Sequence, residues 1–365
     1  MISIGMRKNF GPALFLAALV LFFLVTISFI TPARAQKLKQ LPPPPPGPRY
    51  KPKPTPTPEY EVVRITSNLV VVPVSVTDAR GQPVLGLKQS DFHIEEDGRA
   101  QEIAQLGDPE QVPLDIALLI DVSSSVVARF GFEQQTAASF LKQILKPGDR
   151  ATVFAIDDKP RLVQQLASAE IASQGLMTIT PSNSFTAFFD SVLAATNYLD
   201  KASAAGRRRI ILVISDGDDT ARINDLFTSQ GRKGTFRLSA LDAQVQFIQR
   251  AQLDTQREVQ RAEITFYSIN PSGQTMHLNV RTARSEVGME QIAAATGGTA
   301  FVPANEADLE AIFRRIGSEI RSQYLLQYYS SNESTGRAFR RIAVTTPAQP
   351  QVHVRAREGY YPKAK

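Results

Sequence analysis

Asp121-Val122-Ser123-Ser124-Ser125 closes an apolar run made of Ile116, Ala117, Leu118, Leu119 and Ile120. The run reads as a strand buried on both faces. It delivers one carboxylate and two hydroxyls, at alternate positions, to its carboxyl end. Open α/β sheets bind their ligands at that end. Hard divalent cations such as Mg²⁺ take oxygen ligands and keep several waters, and Asp121, Ser123 and Ser125 offer that chemistry. The same short motif also suits a helix-capping turn, because Asp and Ser are favoured N-caps.

Two later segments add to it. Ile210-Ile211-Leu212-Val213-Ile214 is a second buried strand, and it ends in Ser215-Asp216-Gly217. Asp216 is therefore expected at the same sheet edge as Asp121. Between the two strands, Ser184-Phe185-Thr186-Ala187-Phe188-Phe189-Asp190 opens a helix, and Thr186 can supply a further hydroxyl from the loop before it.

These residues resemble the von Willebrand factor type A domain and its metal-ion-dependent adhesion site. That motif is Asp-x-Ser-x-Ser, then a loop Thr, then an Asp after a later strand. The matching positions are Asp121, Ser123, Ser125, Thr186 and Asp216. The resemblance implies that Ser123, Ser125 and Thr186 touch a Mg²⁺ (or Mn²⁺ or Ca²⁺) ion, while the two aspartates act largely through waters. The family often has glycines just before the Thr, where this chain has Ser184 and Phe185.

The elements that must position these groups alternate between strand and helix from about Pro113 to Tyr324. The fold expected is α/β, a doubly wound, mostly parallel sheet with helices on both faces. Ala137, Phe140, Leu141 and Ile144 follow helical spacing, and Pro147-Gly148 stops that helix. Val153, Phe154 and Ile156 form a strand, as do Ile264, Phe266 and Ile269. Phe188, Val192 and Leu199 give one helix its apolar stripe. Asn305 is a candidate cap for a last helix whose inner face is Leu309, Ile312, Phe313, Ile316 and Ile320. A long insert separates Asp216 from the strand at Ile264. It reads as a polar loop from Asp218, Asp219 and Thr220 to Gly234, with Arg232, Lys233 and Arg237 near its end, then a helix from Ser239 to Ala262. The loop leaves the metal-bearing edge, so it either shapes partner choice or is a solvated charge run.

A β-sandwich-like module flanks this domain. Leu69 to Val76 is strand-like, and Pro73 within it suggests a sheet edge. Asp78-Ala79-Arg80-Gly81 and Asp97-Gly98 are turns around the alternating segment Phe92 to Glu96. Ala338 to Thr345 and Val352 to Val354 also read as strands. They either complete the same module or extend the central sheet.

The chain start has the order of a secretory signal peptide. Arg7 and Lys8 precede an apolar stretch from Leu14 to Ile30, and Ala33-Arg34-Ala35 offers a cleavage site before Gln36. An uncleaved anchor is the alternative. Pro42 to Pro46, with Pro48, Pro52, Pro54, Pro56 and Pro58, are then expected to form an extended, semi-rigid stalk, with a proline-recognition ligand as the alternative. The expected organisation is a signal peptide (1–35), a proline-rich linker (36–59), a β module (60–108), the von Willebrand factor A-like domain (113–324) and a C-terminal β segment (325–365). Residues 336–358 are candidates to complete the β module.

Composition narrows the function. The chain has 365 residues, 43% of them hydrophobic, which suffices for two or three domains. Subtracting the charges of Arg7, Lys8 and Arg34 from the net +6 leaves a mature chain near +3, too mild to argue for nucleic acid. There is no Cys, hence no disulfide, no thiol chemistry and no lipid-modified cysteine. A serine nucleophile needs a nearby base, yet His93, His277 and His353 lie in no recognisable catalytic context and no Gly-x-Ser-x-Gly elbow is present. An enzyme is not expected.

The layout from about Leu69 onward also resembles a narrower family of exported bacterial proteins, related to von Willebrand factor A and frequent in acidobacteria. The segments that carry this likeness are Val76-Thr77-Asp78 with Gly81, Asp91-Phe92 with Glu96-Asp97-Gly98, and Gly359-Tyr360-Tyr361-Pro362. The expectation is an exported periplasmic, envelope or extracellular module whose cation is completed by a partner's Asp or Glu carboxylate. The alternative is a cation-independent envelope scaffold with a degenerate site. With the site at a surface edge, Asp121→Ala or Ser123→Ala is expected to abolish binding with little loss of fold.

Overall fold

The computed structural model describes residues 69–123, 127–224, 239–273, 280–305, 307–332, 334 and 336–362. The expected signal peptide and linker, Ser125, the basic residues Arg232, Lys233 and Arg237, and His277 lie outside the described residues. In chain order the strands are β1 (Leu69–Thr77), β2 (His93–Glu96), β3 (Arg99–Gln101), β4 (Ile103–Gly107), β5 (Leu114–Asp121), β6 (Arg150–Ile156) and β7 (Pro160–Ala167). There follow β8 (Arg208–Ile214), β9 (Ile264–Ile269), β10 (Ala300–Phe301), β11 (Tyr324–Tyr329), β12 (Arg340–Thr345), β13 (His353–Ala356) and β14 (Gly359–Tyr360). The helices are α1 (Phe130–Ile144), α2 (Ala169–Met177), α3 (Phe188–Ala202), α4 (Ser239–Arg261), α5 (Val280–Thr296) and α6 (Asp308–Ser322).

β5 has no polar face because both of its faces are covered, and every one of its residues is buried. It lies inside a six-stranded sheet of order β10-β9-β8-β5-β6-β7. Every pair in that sheet is parallel except β6 with β7. Leu141 of α1, Leu176 of α2 and Phe313 and Ile316 of α6 pack on one face. Val192 and Leu199 of α3, Val259 of α4 and Ile292 of α5 pack on the other. Each such buried side chain contributes about 1.5–3 kcal/mol. The fold is therefore the expected doubly wound α/β sheet. Gly298, just before β10, lets the chain turn tightly against β9: a Cβ there would lie 1.9 Å from the Phe266 carbonyl oxygen.

The terminal strands pair with one another and not with the central sheet. They form two four-stranded sheets, β13-β1-β11-β4 and β14-β12-β2-β3. Val72, Val74, Ile94, Leu326 and Tyr328 fill the space between them. Asp97 and Gly98, both at positive φ (50° and 73°), make the two-residue turn between β2 and β3. At the centre of this module Glu96 accepts hydrogen bonds from Tyr328 Oη (2.8 Å), Ser330 Oγ (2.7 Å), Arg340 Nη1 (3.2 Å) and Tyr360 Oη (3.1 Å). Glu319 of α6 ties the module to the central sheet. It accepts from Ser75 Oγ at 3.2 Å, from Tyr267 Oη at 2.8 Å and from Arg355.

Two local expectations are corrected. Pro73 does not mark an edge, because β1 is flanked by β11 and β13. Pairing with β13 begins one residue later, at Val74 opposite Ala356, so the missing proline N–H interrupts no ladder on that side. Asn305 does not cap the last helix. Ala307 holds that position with no side-chain cap, and the Asp308 carboxylate instead accepts the Asn305 N–H at 3.2 Å.

Candidate metal centre

Parallel pairing in register brings the carboxyl ends of β5, β6, β8 and β9 to one edge. Asp121 lies opposite Ile156 and Ile120 opposite Ile214, so Asp121 and Ser215 become neighbours across the strands. Asp121 is fully buried, at 0% exposure. Its Oδ1 accepts the Ser123 N–H at 2.9 Å and its Oδ2 accepts the Ser215 hydroxyl at 2.7 Å. Among the described residues no Lys, Arg or His forms an ion pair with it. Burial, helped by the nearby Asp216 charge and opposed by the Ser215 and Ser123 bonds, raises its pKa from the ordinary 3.8 to about 6. The expected surface position thus does not hold for Asp121; of the candidate ligands among the described residues, Asp121, Ser123 and Thr186 are buried and Asp216 is half-exposed.

Three loops are stitched together around this carboxylate. Ser182 N donates to the Val122 carbonyl at 2.6 Å, which fastens the loop before α3 to the residue after Asp121. Ala187 N donates to the Asp157 carbonyl at 2.8 Å. Thr186, 4% exposed, lies between these two ties. Its N–H donates to Thr220 Oγ1 at 2.7 Å and its carbonyl accepts the Ala221 N–H at 3.1 Å, so neither bond uses its hydroxyl. Asp216 Oδ1 accepts the Asp218 N–H at 3.1 Å, which turns the chain immediately after β8.

Asp219 is the principal residue that sequence reasoning misread. Taken as part of a solvated loop, it is 2% exposed. Its carboxylate accepts the Phe189 N–H and the Arg222 N–H, each at 3.0 Å. It therefore satisfies a free donor in the first turn of α3 and holds the loop after β8 against Thr186. Burial raises its pKa to about 6, against those same two hydrogen bonds. Ser215 was also missed as a functional group. Its signal was present, since it directly precedes Asp216 at the end of a buried strand.

The site thus assembles Asp121, Ser123, Thr186 and Asp216 from three separate loops at one sheet edge. Among the described residues no three of His, Asp and Glu converge as metal ligands. Any cation here would draw on hydroxyls and waters beside the two carboxylates, a donor set suited to a hard ion.

A family model described as von Willebrand factor type A domain matches residues 116–218, the span from β5 through the loop after β8. The chain carries a von Willebrand factor type A domain. Solved structures with similarity to it include an aerotolerance-related membrane protein from Bacteroides fragilis, at 14% identity, 57% of this chain, 98% of that chain and a TM-score of 0.40. The von Willebrand factor domain of the type V pili tip protein Mfa5 from Porphyromonas gingivalis shows 15% identity over 57% of this chain and 95% of that chain, with a TM-score of 0.41. A von Willebrand factor type A protein from Catenulispora acidiphila shows 13% identity over 82% of this chain and 64% of that chain, with a TM-score of 0.43. No curated protein matches the chain. The type A match covers every described candidate ligand. The β module lies outside it.

Proposed function

We propose that this type A domain is an exported protein-binding module that works through a divalent cation. Asp121, Ser123, Ser125, Thr186 and Asp216 would hold Mg²⁺, or Mn²⁺ or Ca²⁺, at the carboxyl edge of the sheet. The ion would supply an electrophilic centre whose open position a partner's Asp or Glu carboxylate fills. The chain's own residues do the rest: Ser215 and the Ser123 N–H orient Asp121, and Asp219 and Thr220 fix the Thr186 loop. The observation that carries the reading is Asp121 itself. A fully buried carboxylate beside a second carboxylate, with neutral hydrogen-bond donors and no basic partner among the described residues, is a charge arrangement that a bound cation would relieve. Type A domains are generally interaction modules, which favours a protein partner over a substrate. The signal-like start and the proline-rich segment support export. Among the described residues no helix is long and apolar enough to cross a membrane.

The test is thermal melting of the full chain in EDTA, Mg²⁺, Mn²⁺ or Ca²⁺, with Thr186→Val as control. A ligand that binds only the native state raises the melting temperature by mass action. The expected result is a cation-specific rise that the variant loses, followed by chelator-sensitive capture of an acidic protein. No response to any cation would leave the scaffold reading in its place.

A further inference from the structure

The opposite end of the sheet is rich in arginine. A cavity of about 80 Å³ lies where the β module meets the amino ends of β8 and β9. Its lining includes Arg208, Arg357, Glu263, Thr265, Gln260 and Gln323. Arg208 is 8% exposed and donates to three neutral acceptors, Ile320 O (2.8 Å), Gln323 Oε1 (3.2 Å) and Pro109 O (3.2 Å). Among the described residues it forms no ion pair. Burial, with Arg321 nearby, lowers its pKa to about 10. Arg357 is equally buried. It donates to Val71 O at 2.9 Å and reaches Glu263 only at 3.9 Å. Each of these two arginines keeps a buried Nε–H with no acceptor.

A guanidinium removed from water needs a counter-charge, and an unmatched buried N–H costs on the order of 1–3 kcal/mol. Both arginines line one small cavity, with a Thr hydroxyl and Gln amides beside them. The neighbouring arginines do not explain the charge, since Arg207 is paired with Asp115 and Arg209 with Asp200. Glu263 is the carboxylate of the lining, held at φ 53° just after α4. It leaves an excess of positive charge against Arg208 and Arg357. About 80 Å³ is well above the roughly 10–15 Å³ of such space that one water needs, so the cavity has room for a small oxyanion.

From this cavity and its two buried arginines, of which Arg208 forms no ion pair among the described residues, we infer that the protein binds a small inorganic oxyanion, phosphate or sulfate, at the junction of the β module and the sheet. Arginine forks match such oxyanions, and Thr265 and the second amide hydrogen of Gln260 supply further donors. The anion would join α6, β1 and β8 by neutralising Arg208. The site is independent of the metal centre at the other sheet edge.

The experiment is isothermal titration of inorganic phosphate into the full chain, in EDTA and at constant ionic strength, with chloride as reference. The expected result is saturable phosphate binding that chloride does not reproduce. Glu263→Gln removes the competing carboxylate and should tighten binding about threefold or more. Arg357→Gln should weaken it about tenfold or more. Absence of phosphate binding overturns the inference, as does binding that Arg357→Gln leaves unchanged. Should Arg357→Gln fail to fold, the Glu263→Gln variant decides, and unaltered or weaker binding there counts against the site. Capture of phosphatidic-acid vesicles without binding of free phosphate also overturns it, because the cavity would then be reading a lipid headgroup.

Discussion

Asp121→Asn should stabilise the metal-free protein while abolishing its response to cations. The native carboxylate is fully buried, and its pKa is raised from 3.8 to about 6. A carboxyl that holds its proton more tightly when folded favours the folded state at low pH. As pH rises, the unfolded chain ionises first, near 3.8, and stability falls until the folded group also ionises near 6. At about 1.4 kcal/mol per pH unit, that window amounts to a loss of about 3 kcal/mol, fully present above pH 6 and largely absent near pH 4.

Asparagine keeps the shape and removes the charge. Its amide oxygen can take the Ser123 N–H, and its NH₂ can donate to Ser215 Oγ, whose hydroxyl rotates to accept. In EDTA at pH 7.5 the variant should therefore melt several degrees higher than wild type, following about 2–4 °C per kcal/mol for a domain of this size. The gain should shrink steadily as the pH is lowered toward 4. Added Mg²⁺ should raise the melting temperature of the wild type only. Chemical denaturation at the two pH values gives the same comparison as a free energy. An Asp121→Asn protein that is no more stable than wild type at pH 7.5, or whose advantage is independent of pH, would refute the reasoning that this carboxylate is held in an uncompensated state.

Other perturbations give equally definite outcomes. Asp115 is held by Arg150, Arg207 and Ser203; burial pushes its pKa up, but those hydrogen bonds outweigh burial and leave it below the ordinary value. Asp115→Asn should cost about 3 kcal/mol in urea unfolding at pH 7, and in the wild type that contribution should fade as pH falls below the ordinary carboxylate value. Gly298→Ala would place a methyl 1.9 Å from the Phe266 carbonyl oxygen, so it should destabilise by on the order of 4 kcal/mol or prevent soluble expression. Ser215→Ala removes the hydroxyl that donates to Asp121 at 2.7 Å, which should raise the Asp121 pKa further and weaken the cation-induced melting shift, measured by cation titration.

What the sequence revealed followed from periodicity and burial. β5 and β8 were legible because strands covered on both faces must be continuously apolar, and the residues after them then fall at one sheet edge. β7 and α2 went unread for the complementary reason. β7 is an edge strand of sequence PRLVQQLA with partial exposure throughout, and its pairing with β6 is irregular, so no alternation survives. α2 carries Gly175 in its interior, where Gln164 of β7 packs so closely that a Cβ would meet it at 2.8 Å. That glycine looks like a helix breaker in the sequence and is a packing requirement in the fold. Asp219 was opaque because its burial depends on the first turn of α3, thirty residues earlier in the chain. Nothing local distinguishes it from Asp218.

The two ends of the sheet have opposite electrical character, and the parallel topology is the cause. Strands running the same way gather the residues that follow them at one edge and those that begin them at the other. The residues after the strands are Asp121, Asp157, Ser215, Asp216 and Asn270, a carboxylate-rich edge with hydroxyls. The residues at the starts are Asp115, Arg150, Arg208 and Arg209, joined by Arg207. The basic end is largely self-satisfied: Asp115 is bonded to Arg150 and Arg207, and Asp149 to Arg321. Arg208 is the exception. At the acidic end the imbalance falls on Asp121, since Asp157 faces Arg161 and Asp219 faces Arg222. Among the described residues most other buried charge is paired, and the neutral partners of Asp121 and Arg208 are what support the two proposals, a cation at the one and an anion at the other.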